Sequence, residues 1–325
     1  MKIEEVYGKD YVFVDVRSPK EFAEDHIPKA LNIPLFSNEE RAIIGTLYKQ
    51  VGKDVAIDKG LEIVGQKLPE MIRKYQQFQG KKICIYCWRG GMRSGSVVGL
   101  LQSLKFDVVQ LDKGYKDYRR FVRERLESIP ISPLVVLYAL TGSGKTEMLQ
   151  QLSNSIDLEG IAQHRGSIFG DVGLKPRTQK MFDSLLLERF YALQKETIVF
   201  IEGESRKIGS IMIPLRLWNL MQKAKKVKII CPTEERVERL YKEYCHILDI
   251  PLLVQKIQYI QQHLGKQKAQ ELIQMLETGK VKEVIQVILL DYYDKLYAYT
   301  VDSKSYSSEA HSAKELEEFS KHLTL

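Results

Sequence analysis

The chain has 325 residues, 44% hydrophobic and 28% charged, a composition that excludes a chain disordered throughout or collagenous, and its length predicts two domains. The net charge of +7 is compatible with a polyanionic partner such as RNA, and four cysteines are too few for a disulfide framework. The longest apolar run, residues 134–140, is too short for a membrane helix and the acidic N-terminus is unlike a signal peptide, so we expect a cytoplasmic protein without membrane contact.

The first predicted domain covers residues 1–128. Short β-branched runs at 11–14, 83–86 and 108–111 alternate with helical stretches, which is the pattern of a parallel α/β domain. Two prolines within residues 128–133 are hard to keep helical and therefore favour a domain boundary there.

The second predicted domain covers residues 129–325. From Pro232 to about Tyr299 the pattern is helical without a clear strand. Ser312 either caps a last helix at 313–322 or lies in a frayed tail. The buried strands predicted in this domain lie at 134–139, 197–201 and 227–231.

Residues 113–125 form a basic segment with six basic and three aromatic residues, a composition suited to phosphate contact and base stacking. The alternative is a connector helix, because Tyr118, Phe121 and Val122 recur at the spacing of a buried helical stripe. Under the first interpretation the candidate RNA-binding residues are Lys116, Arg119, Arg120 and Arg123.

Cys87 follows the predicted strand 83–86, and a helix is predicted from about Ser94. A loop in this position aims backbone N–H groups inward, and these dipoles together with Arg93 favour the thiolate. We therefore interpret Cys87 as a nucleophile and Cys84, which lies within an apolar run, as a core residue. The rest of the active-site loop is Trp88, Arg89, Gly90, Gly91, Met92 and Arg93.

Residues 15–22, 26–34 and 86–94 resemble a rhodanese domain. Sulfurtransferases of this fold usually place the arginine five residues after the cysteine, whereas Arg93 is six after Cys87. The wider loop resembles that of dual-specificity phosphatases and suits a phosphate or selenium, although Tyr86 replaces the histidine of those phosphatases. Lys29, where the rhodanese pattern often has glycine, is a further departure.

Residues 139–146 match the phosphate-binding pattern G-x-x-x-x-G-K-[ST], except that Ala139 replaces the first glycine. A helix is predicted to begin near Glu147. Thr146 and Glu202 are candidates to hold Mg²⁺, although Glu202 or Glu204 could instead pair with Arg206, and no bound organic cofactor is expected. The predicted phosphate-binding residues are Gly142, Ser143, Gly144, Lys145 and Thr146.

Segments 158–170, 176–179 and 202–209, with the Cys87 loop and motifs within 40–50, resemble the tRNA 2-selenouridine synthase family. The resemblance covers the chain from Asp15 to about Tyr293 and implies an α/β fold, a rhodanese-like parallel-sheet domain followed by a P-loop domain with a helical C-terminal region. Tyr292 and Tyr293 either stack a base or pack. The candidate substrate or metal-water contacts are His164, Arg165, Gly166, Gln179, Glu202 and Arg206.

The resemblance implies that selenium from selenophosphate replaces the sulfur of wobble 2-thiouridine in tRNA, through an S-geranylated intermediate made from geranyl diphosphate. A selenophosphate-producing enzyme is then a possible partner. Two alternatives stay open at this stage. One is a rhodanese-type sulfurtransferase or persulfide carrier fused to a P-loop nucleotide hydrolase, and the other is a non-catalytic tRNA-binding protein with a vestigial rhodanese domain.

Overall fold

The computed structural model describes residues 1–245 and 249–323, with the side chains of 299 and 300 left out. The chain forms two compact units. Unit 1 comprises Met1–Ile129 and Lys180–Tyr191, and unit 2 comprises Pro130–Gln179 and Ala192–Leu325. Within the described ranges, no helix has the length and apolarity that a membrane span requires.

Unit 1 is built on a four-stranded parallel sheet in the order β2-β1-β3-β4. The predicted strands are confirmed to within a residue, and the apolar side chains of β1 and β3 lie in the core of the unit. The strands are β1 (Val12–Asp15), β2 (Leu31–Asn32), β3 (Ile83–Tyr86) and β4 (Val108–Gln110).

Two helices of unit 1 begin at side-chain caps. Ser18 and Glu21 form a capping box before one helix, which has Pro19 at its first position, and Ser37 and Glu40 do the same for the next. The helices are α1 (Ile3–Val6), α2 (Pro19–Glu24), α3 (Asn38–Gln50), α4 (Lys53–Gln76), α5 (Met92–Ser103) and α6 (Gly114–Ser128).

Unit 2 is built on a five-stranded parallel sheet in the order β11-β10-β5-β7-β6, with a separate antiparallel pair, β8 and β9. Buried parallel strands read as continuous apolar runs, which is why β5 was predictable. The strands are β5 (Leu134–Tyr138), β6 (Ser155–Ile156), β7 (Val199–Glu202), β8 (Lys207–Ile208), β9 (Ile211–Met212), β10 (Lys225–Ile229) and β11 (Ser308–Ala310).

The C-terminal part of unit 2 is helical, as predicted. The last helix follows Ser312, whose hydroxyl accepts a hydrogen bond from the Glu315 N–H at 3.3 Å, so the predicted cap is confirmed. The helices that follow α6 in the chain are α7 (Lys145–Gln151), α8 (Leu158–Ala162), α9 (Gln179–Ala192), α10 (Leu215–Lys223), α11 (Thr233–Tyr244), α12 (Ile250–Tyr259), α13 (Gln261–Leu264), α14 (Lys266–Glu277), α15 (Val281–Ile288), α16 (Asp294–Asp302) and α17 (Ala313–Leu323), with a π-helical turn over Leu289–Tyr293.

Several features differ from the sequence predictions, and the two-residue strands β2, β6, β8 and β9 were not predicted. Strand β11 was not predicted, because Ser, Glu and Ala have low strand propensity and pairing with β10 alone defines it. Helix α7 begins at Lys145 rather than near Glu147. Lys180–Tyr191, most of α9, belongs to unit 1 although it lies beyond residue 129.

Candidate functional site

Cys87 lies directly after β3, an inner strand of the unit 1 sheet, and is 3% exposed. Its Sγ accepts a hydrogen bond from the hydroxyl of Ser94, 3.2 Å away in the first turn of α5. The side-chain amide of Gln110, on β4, donates to the same hydroxyl at 2.8 Å and to the carbonyl of Gly90 at 2.8 Å. Ser94 therefore hydrogen-bonds the sulfur of Cys87, and Gln110 of the neighbouring strand β4 fixes the position of the Ser94 hydroxyl.

The loop after Cys87 is fixed against the start of α6. The backbone N–H of Tyr115 donates to the Cys87 carbonyl at 2.8 Å, and that of Lys116 donates to the Trp88 carbonyl at 3.0 Å. Gly114, at φ +56°, makes this approach possible, since a Cβ on it would lie 2.2 Å from the Cys87 carbonyl oxygen. The shape of the loop is therefore set by backbone contacts.

The surroundings of Cys87 favour its thiolate. Burial by itself would raise the pKa of the thiol, but the hydrogen bonds from Ser94, the charge of Arg93 and a backbone N–H bond outweigh it, so the pKa lies below its usual value. Arg93 is half-buried and pairs with Glu21 at 3.1 Å. Burial instead raises the pKa of Cys84 to about 12, so Cys84 stays a protonated core residue.

The outer side of the loop faces solvent. Trp88, Arg89 and Met92 are exposed, and the Trp88 ring centroid lies 5.4 Å from that of Tyr115. Gly91 is exposed as well. The loop therefore combines a buried sulfur with an exposed rim that a large substrate can contact.

The motif segment 15–22 contacts the Cys87 loop through Glu21, which pairs with Arg93, whereas Asp15 and Arg17 are buried and bind each other. Arg17 is 1% exposed, pairs with Asp15 at 2.7 Å and lies 3.8 Å from the centroid of the Tyr115 ring. Lys29 has φ +65°, a left-handed conformation that glycine adopts at no steric cost, which accounts for the glycine of the rhodanese pattern there. These motif residues are structural.

The second site is the loop between β5 and α7. Gly142 and Gly144 have φ of +79° and +82°. Two arginines of α11 hold the loop from outside, because Arg236 donates to the Thr141 carbonyl at 2.8 Å and Arg239 donates to the Gly142 carbonyl at 2.7 Å. Both arginines were missed by the sequence analysis, since they lie about 95 residues further along the chain.

Three glutamates surround the lysine of this loop. The Lys145 ammonium lies 3.6 Å from the Glu204 carboxylate, and the Thr146 hydroxyl lies 3.1 Å from Glu202 and 3.3 Å from Glu159. Burial alone would lower the pKa of Lys145, but the three carboxylates raise it above its usual value, so the side chain stays cationic.

Two of these glutamates, Glu202 and Glu159, lie where a negative charge is unfavourable. Burial and the neighbouring Glu159 raise the pKa of Glu202 well above its usual value. Burial and the charge of Glu204 likewise raise the pKa of Glu159 to about 8. A cation between Thr146 and Glu202 would relieve this repulsion, so the residues present fit the predicted Mg²⁺.

The other predicted contacts are divided between this site and the surface. A Cβ on Gly166 would lie 2.7 Å from Glu204, so Gly166 borders the site. The His164 Nδ1 accepts from the Gly166 N–H at 3.1 Å, and burial lowers the pKa of the ring. Arg165 pairs with Glu243 instead of facing the site.

Two predicted contacts lie elsewhere. Gln179 hydrogen-bonds the backbone N–H and carbonyl of Met212 at 2.7 and 3.0 Å, so it joins α9 to β9. Arg206 is exposed, while Glu204 pairs with Lys145, so the alternative pairing of Glu204 with Arg206 is wrong. Across the described residues, no group of three or more His, Cys, Asp and Glu side chains has metal-site geometry, and a Mg²⁺ here would need ligands from the substrate or water.

The basic segment forms α6, and its aromatic side chains Tyr118 and Phe121 are buried, so they pack rather than stack bases. The prediction that Arg119 binds RNA at the surface is wrong, because its side chain is 10% exposed and its guanidinium bonds Asp183 at 2.9 Å. Arg120 pairs with carboxylates of Asp117, Glu124 and Glu4. Lys116 and Arg123 are exposed and remain the available cations of this helix.

Comparisons with known proteins agree with these two sites. The Rhodanese-like domain family matches residues 4–120, and the family described as tRNA 2-selenouridine synthase AAA domain matches residues 132–324. A tRNA 2-selenouridine synthase of Psychromonas ingrahamii is 32% identical over 90% of this chain and 88% of its own. The chain belongs to the tRNA 2-selenouridine synthase family.

Other members are equally similar to the chain. The tRNA 2-selenouridine synthase of Pseudomonas syringae pv. tomato is 33% identical over 92% of this chain and 91% of its own. A solved N-terminal domain from Clostridium difficile 630, provisionally named an ATP/GTP binding protein, is 49% identical, covers 38% of this chain and 97% of its own, and has a TM-score of 0.37. In this tRNA 2-selenouridine synthase family member, Cys87 lies within the range matched by the Rhodanese-like domain and Lys145 within the range matched by the AAA domain.

Proposed function

We propose that this chain converts 2-thiouridine at the wobble position of tRNA into 2-selenouridine, through an S-geranylated intermediate, with geranyl diphosphate and selenophosphate as donors. The observation that carries the proposal is that one chain holds two different reactive sites. One has a cysteine with a lowered pKa beside Ser94, and the other has a cationic lysine, Lys145, in a phosphate-binding loop.

The P-loop serves the first step. The thiocarbonyl sulfur of the uridine attacks C1 of the geranyl group, the C1–O bond breaks, diphosphate leaves with the bonding electrons, and the N3 proton of the base is lost to water. Negative charge grows on the departing diphosphate, and Lys145 together with the loop N–H groups of Gly142 to Gly144 is suited to stabilise it. A Mg²⁺ held by Thr146, with Glu202 bonded to its water, would neutralise further charge.

The cysteine site serves the second step. Sulfur is a poor leaving group as a thiocarbonyl, whereas alkylated sulfur can leave as a thiolate. The selenium of selenophosphate attacks C2, the C2–S bond breaks, and the geranyl thiolate leaves and takes up a proton to become geranyl thiol. Water then cleaves the Se–P bond, which releases phosphate and leaves selenium on C2. The low-pKa thiolate of Cys87, in a loop one residue longer than that of ordinary sulfurtransferases, is suited to handle selenium from selenophosphate. An enzyme that makes selenophosphate is the corresponding partner.

The exposed cations of α6 are suited to the tRNA backbone. Lys116 and Arg123 face solvent, and Lys116 lies close in sequence to Tyr115, which is bonded to the Cys87 carbonyl. Phosphate contacts of this kind position a nucleic acid without reading its sequence.

The two steps can be separated by single substitutions in the full-length chain. Lys145→Ala should abolish geranylation of 2-thiouridine tRNA, whereas Lys175→Ala, at an exposed lysine of the same unit, should leave it intact. Cys87→Ser should stop selenation and spare geranylation, with Cys245→Ser as its control. Each product is measured by mass spectrometry of nucleosides.

Two outcomes would contradict these assignments. If Lys145→Ala retained geranylation, the diphosphate of the donor would not bind in the P-loop. Selenation at the normal rate in Cys87→Ser would show that Cys87 does not carry selenium. If the unmodified chain instead transferred sulfur from thiosulfate without tRNA, the sulfurtransferase alternative would replace the proposal.

A further inference from the structure

Unit 2 contains an apolar cavity among α11, α12, α14 and α15 that the catalytic steps above do not use. It has a volume of about 70 Å³ and is partly open to solvent. Its walls are almost wholly aliphatic and aromatic side chains. They include Leu240, Leu276, Val284 and Tyr293.

The cavity lies within a hydrophobic core that should otherwise be close-packed. Leu276, Val284 and Tyr293 are each less than 9% exposed and belong to the buried cluster of the helical region. Native cores contain few voids larger than a water molecule, because an empty apolar space loses its packing contacts. A void of this volume has room for several water molecules, and its mainly apolar lining is typical of ligand pockets.

One end of the cavity is at the phosphate-binding loop. Thr141, in the loop, and Ser167, beside Gly166, are the two aliphatic hydroxyl residues of its lining. Contact between the loop and the cavity wall is close, since a Cβ on Gly142 would lie 3.1 Å from the Leu240 side chain. The arrangement therefore fits a molecule with an anionic head and an apolar tail.

We propose that this cavity binds the hydrocarbon chain of the prenyl diphosphate whose head lies in the P-loop, and that its walls limit the length of that chain. The inference rests on the proposed function, because it assigns the tail of the same donor. A nucleotide is a poorer occupant, because the polar edges of its base would find few partners among these side chains.

The tail should contribute strongly to affinity. Each buried methylene group stabilises a complex enough to tighten binding by roughly fourfold, so a geranyl chain should bind at least about 100-fold more tightly than the bare head group. A larger side chain at Val284 should fill the cavity, and a smaller side chain at Leu276 should enlarge it. Each has a matched control on the same helix, Val287 and Leu272, which pack on the same cluster but do not line the cavity.

The experiment measures equilibrium binding of inorganic diphosphate, geranyl diphosphate and the longer farnesyl diphosphate to the full-length chain in the presence of Mg²⁺. Val284→Phe should weaken geranyl diphosphate at least tenfold and leave inorganic diphosphate unchanged, whereas Val287→Phe should bind both like the parent. Leu276→Ala should raise the ratio of farnesyl to geranyl affinity, and Leu272→Ala should not. Thermal melting of each variant reports its folding, and Leu276→Ala decides the test if Val284→Phe does not fold.

The outcomes separate this inference from the proposed function. If Lys145→Ala abolishes geranyl diphosphate binding while the cavity variants bind all three probes like the parent, the P-loop assignment stands and the cavity assignment is overturned. If Lys145→Ala binds geranyl diphosphate as well as the parent, the P-loop assignment fails and the inference falls with it. Equal affinity of the parent for geranyl diphosphate and inorganic diphosphate would also overturn the inference.

Discussion

The hydrogen bond from Ser94 to Cys87 should control how readily the cysteine ionises. Its hydroxyl donates to the sulfur at 3.2 Å within a site where burial opposes the thiolate. Ser94→Ala removes this donor and leaves Arg93, which also pairs with Glu21, and the backbone N–H groups to offset burial. The pKa of Cys87 should therefore rise.

The size of the effect follows from the charge on the acceptor. A hydrogen bond to a charged group contributes about 1.5 to 3 kcal/mol, and about 1.4 kcal/mol corresponds to a tenfold change in an equilibrium. The ratio of thiolate to thiol near neutral pH should therefore fall by roughly 10- to 100-fold. The rate of alkylation by iodoacetamide should fall with it, because the thiolate is the reacting species.

The assay follows alkylation of the Cys87 peptide by mass spectrometry across a pH series, because Cys231 and Cys245 are half-exposed and would also react. Ser96→Ala is the control, since Ser96 lies on the same helix and its hydroxyl donates to the Met92 carbonyl at 2.9 Å. An alkylation profile of Ser94→Ala that overlays the parent would refute the reasoning.

Three further perturbations test other parts of the structure. Burial and Glu204 raise the pKa of Glu159 to about 8, above the value of about 4.3 that it has in the unfolded chain. The protonated Glu159 side chain therefore contributes fully to the free energy of unfolding below about pH 4.3, and this contribution is lost as the pH rises toward 8. Glu159→Gln should therefore reduce the loss of unfolding free energy between pH 5 and pH 8, as measured by urea titration; an unchanged loss would contradict the assigned environment. Gly114→Ala should destabilise unit 1, because the added Cβ meets the Cys87 carbonyl. Gly99→Ala is the control, since Gly99 lies within α5 with free space around its Cα, and it should stabilise unit 1 by up to about 1 kcal/mol. Equal shifts in the thermal melts of the two variants would contradict the close approach at Gly114. Charge reversal of Lys116 and Arg123 should weaken tRNA binding and lower its salt dependence by roughly one unit of slope per lost phosphate contact, as filter binding at several salt concentrations would show; an unaltered slope would remove α6 from the tRNA surface.

The sequence allowed the parts of the fold with local signals to be predicted. Strand β3 occupies the predicted residues 83–86, because four consecutive buried side chains give a continuous apolar run. Cys87 and Lys145 were identifiable for a related reason, since each lies in a loop that directly follows a predictable strand. Ser94 could be placed on the helix after Cys87 but not given a role, because the direction of a hydroxyl is set by tertiary packing.

Contacts between distant segments could not be predicted. Arg119 was expected on the surface with the other basic residues of α6, but Asp183 of α9 draws it into a buried ion pair. Gln110 and Arg239 shape the two loops from other elements, and neither lies near a motif. Tyr293 left two alternatives open from sequence, and the structure shows it packed at 6% exposure against the apolar cavity.

The most direct test of the proposed function is mass spectrometry of nucleosides after the purified chain is incubated with 2-thiouridine tRNA, geranyl diphosphate and selenophosphate, with each donor omitted in turn. Selenouridine should form only when both donors are present, and S-geranyl-2-thiouridine should accumulate when selenophosphate is left out. Selenouridine formed without geranyl diphosphate would contradict the two-step route, and the absence of any modified nucleoside would contradict the assignment to tRNA.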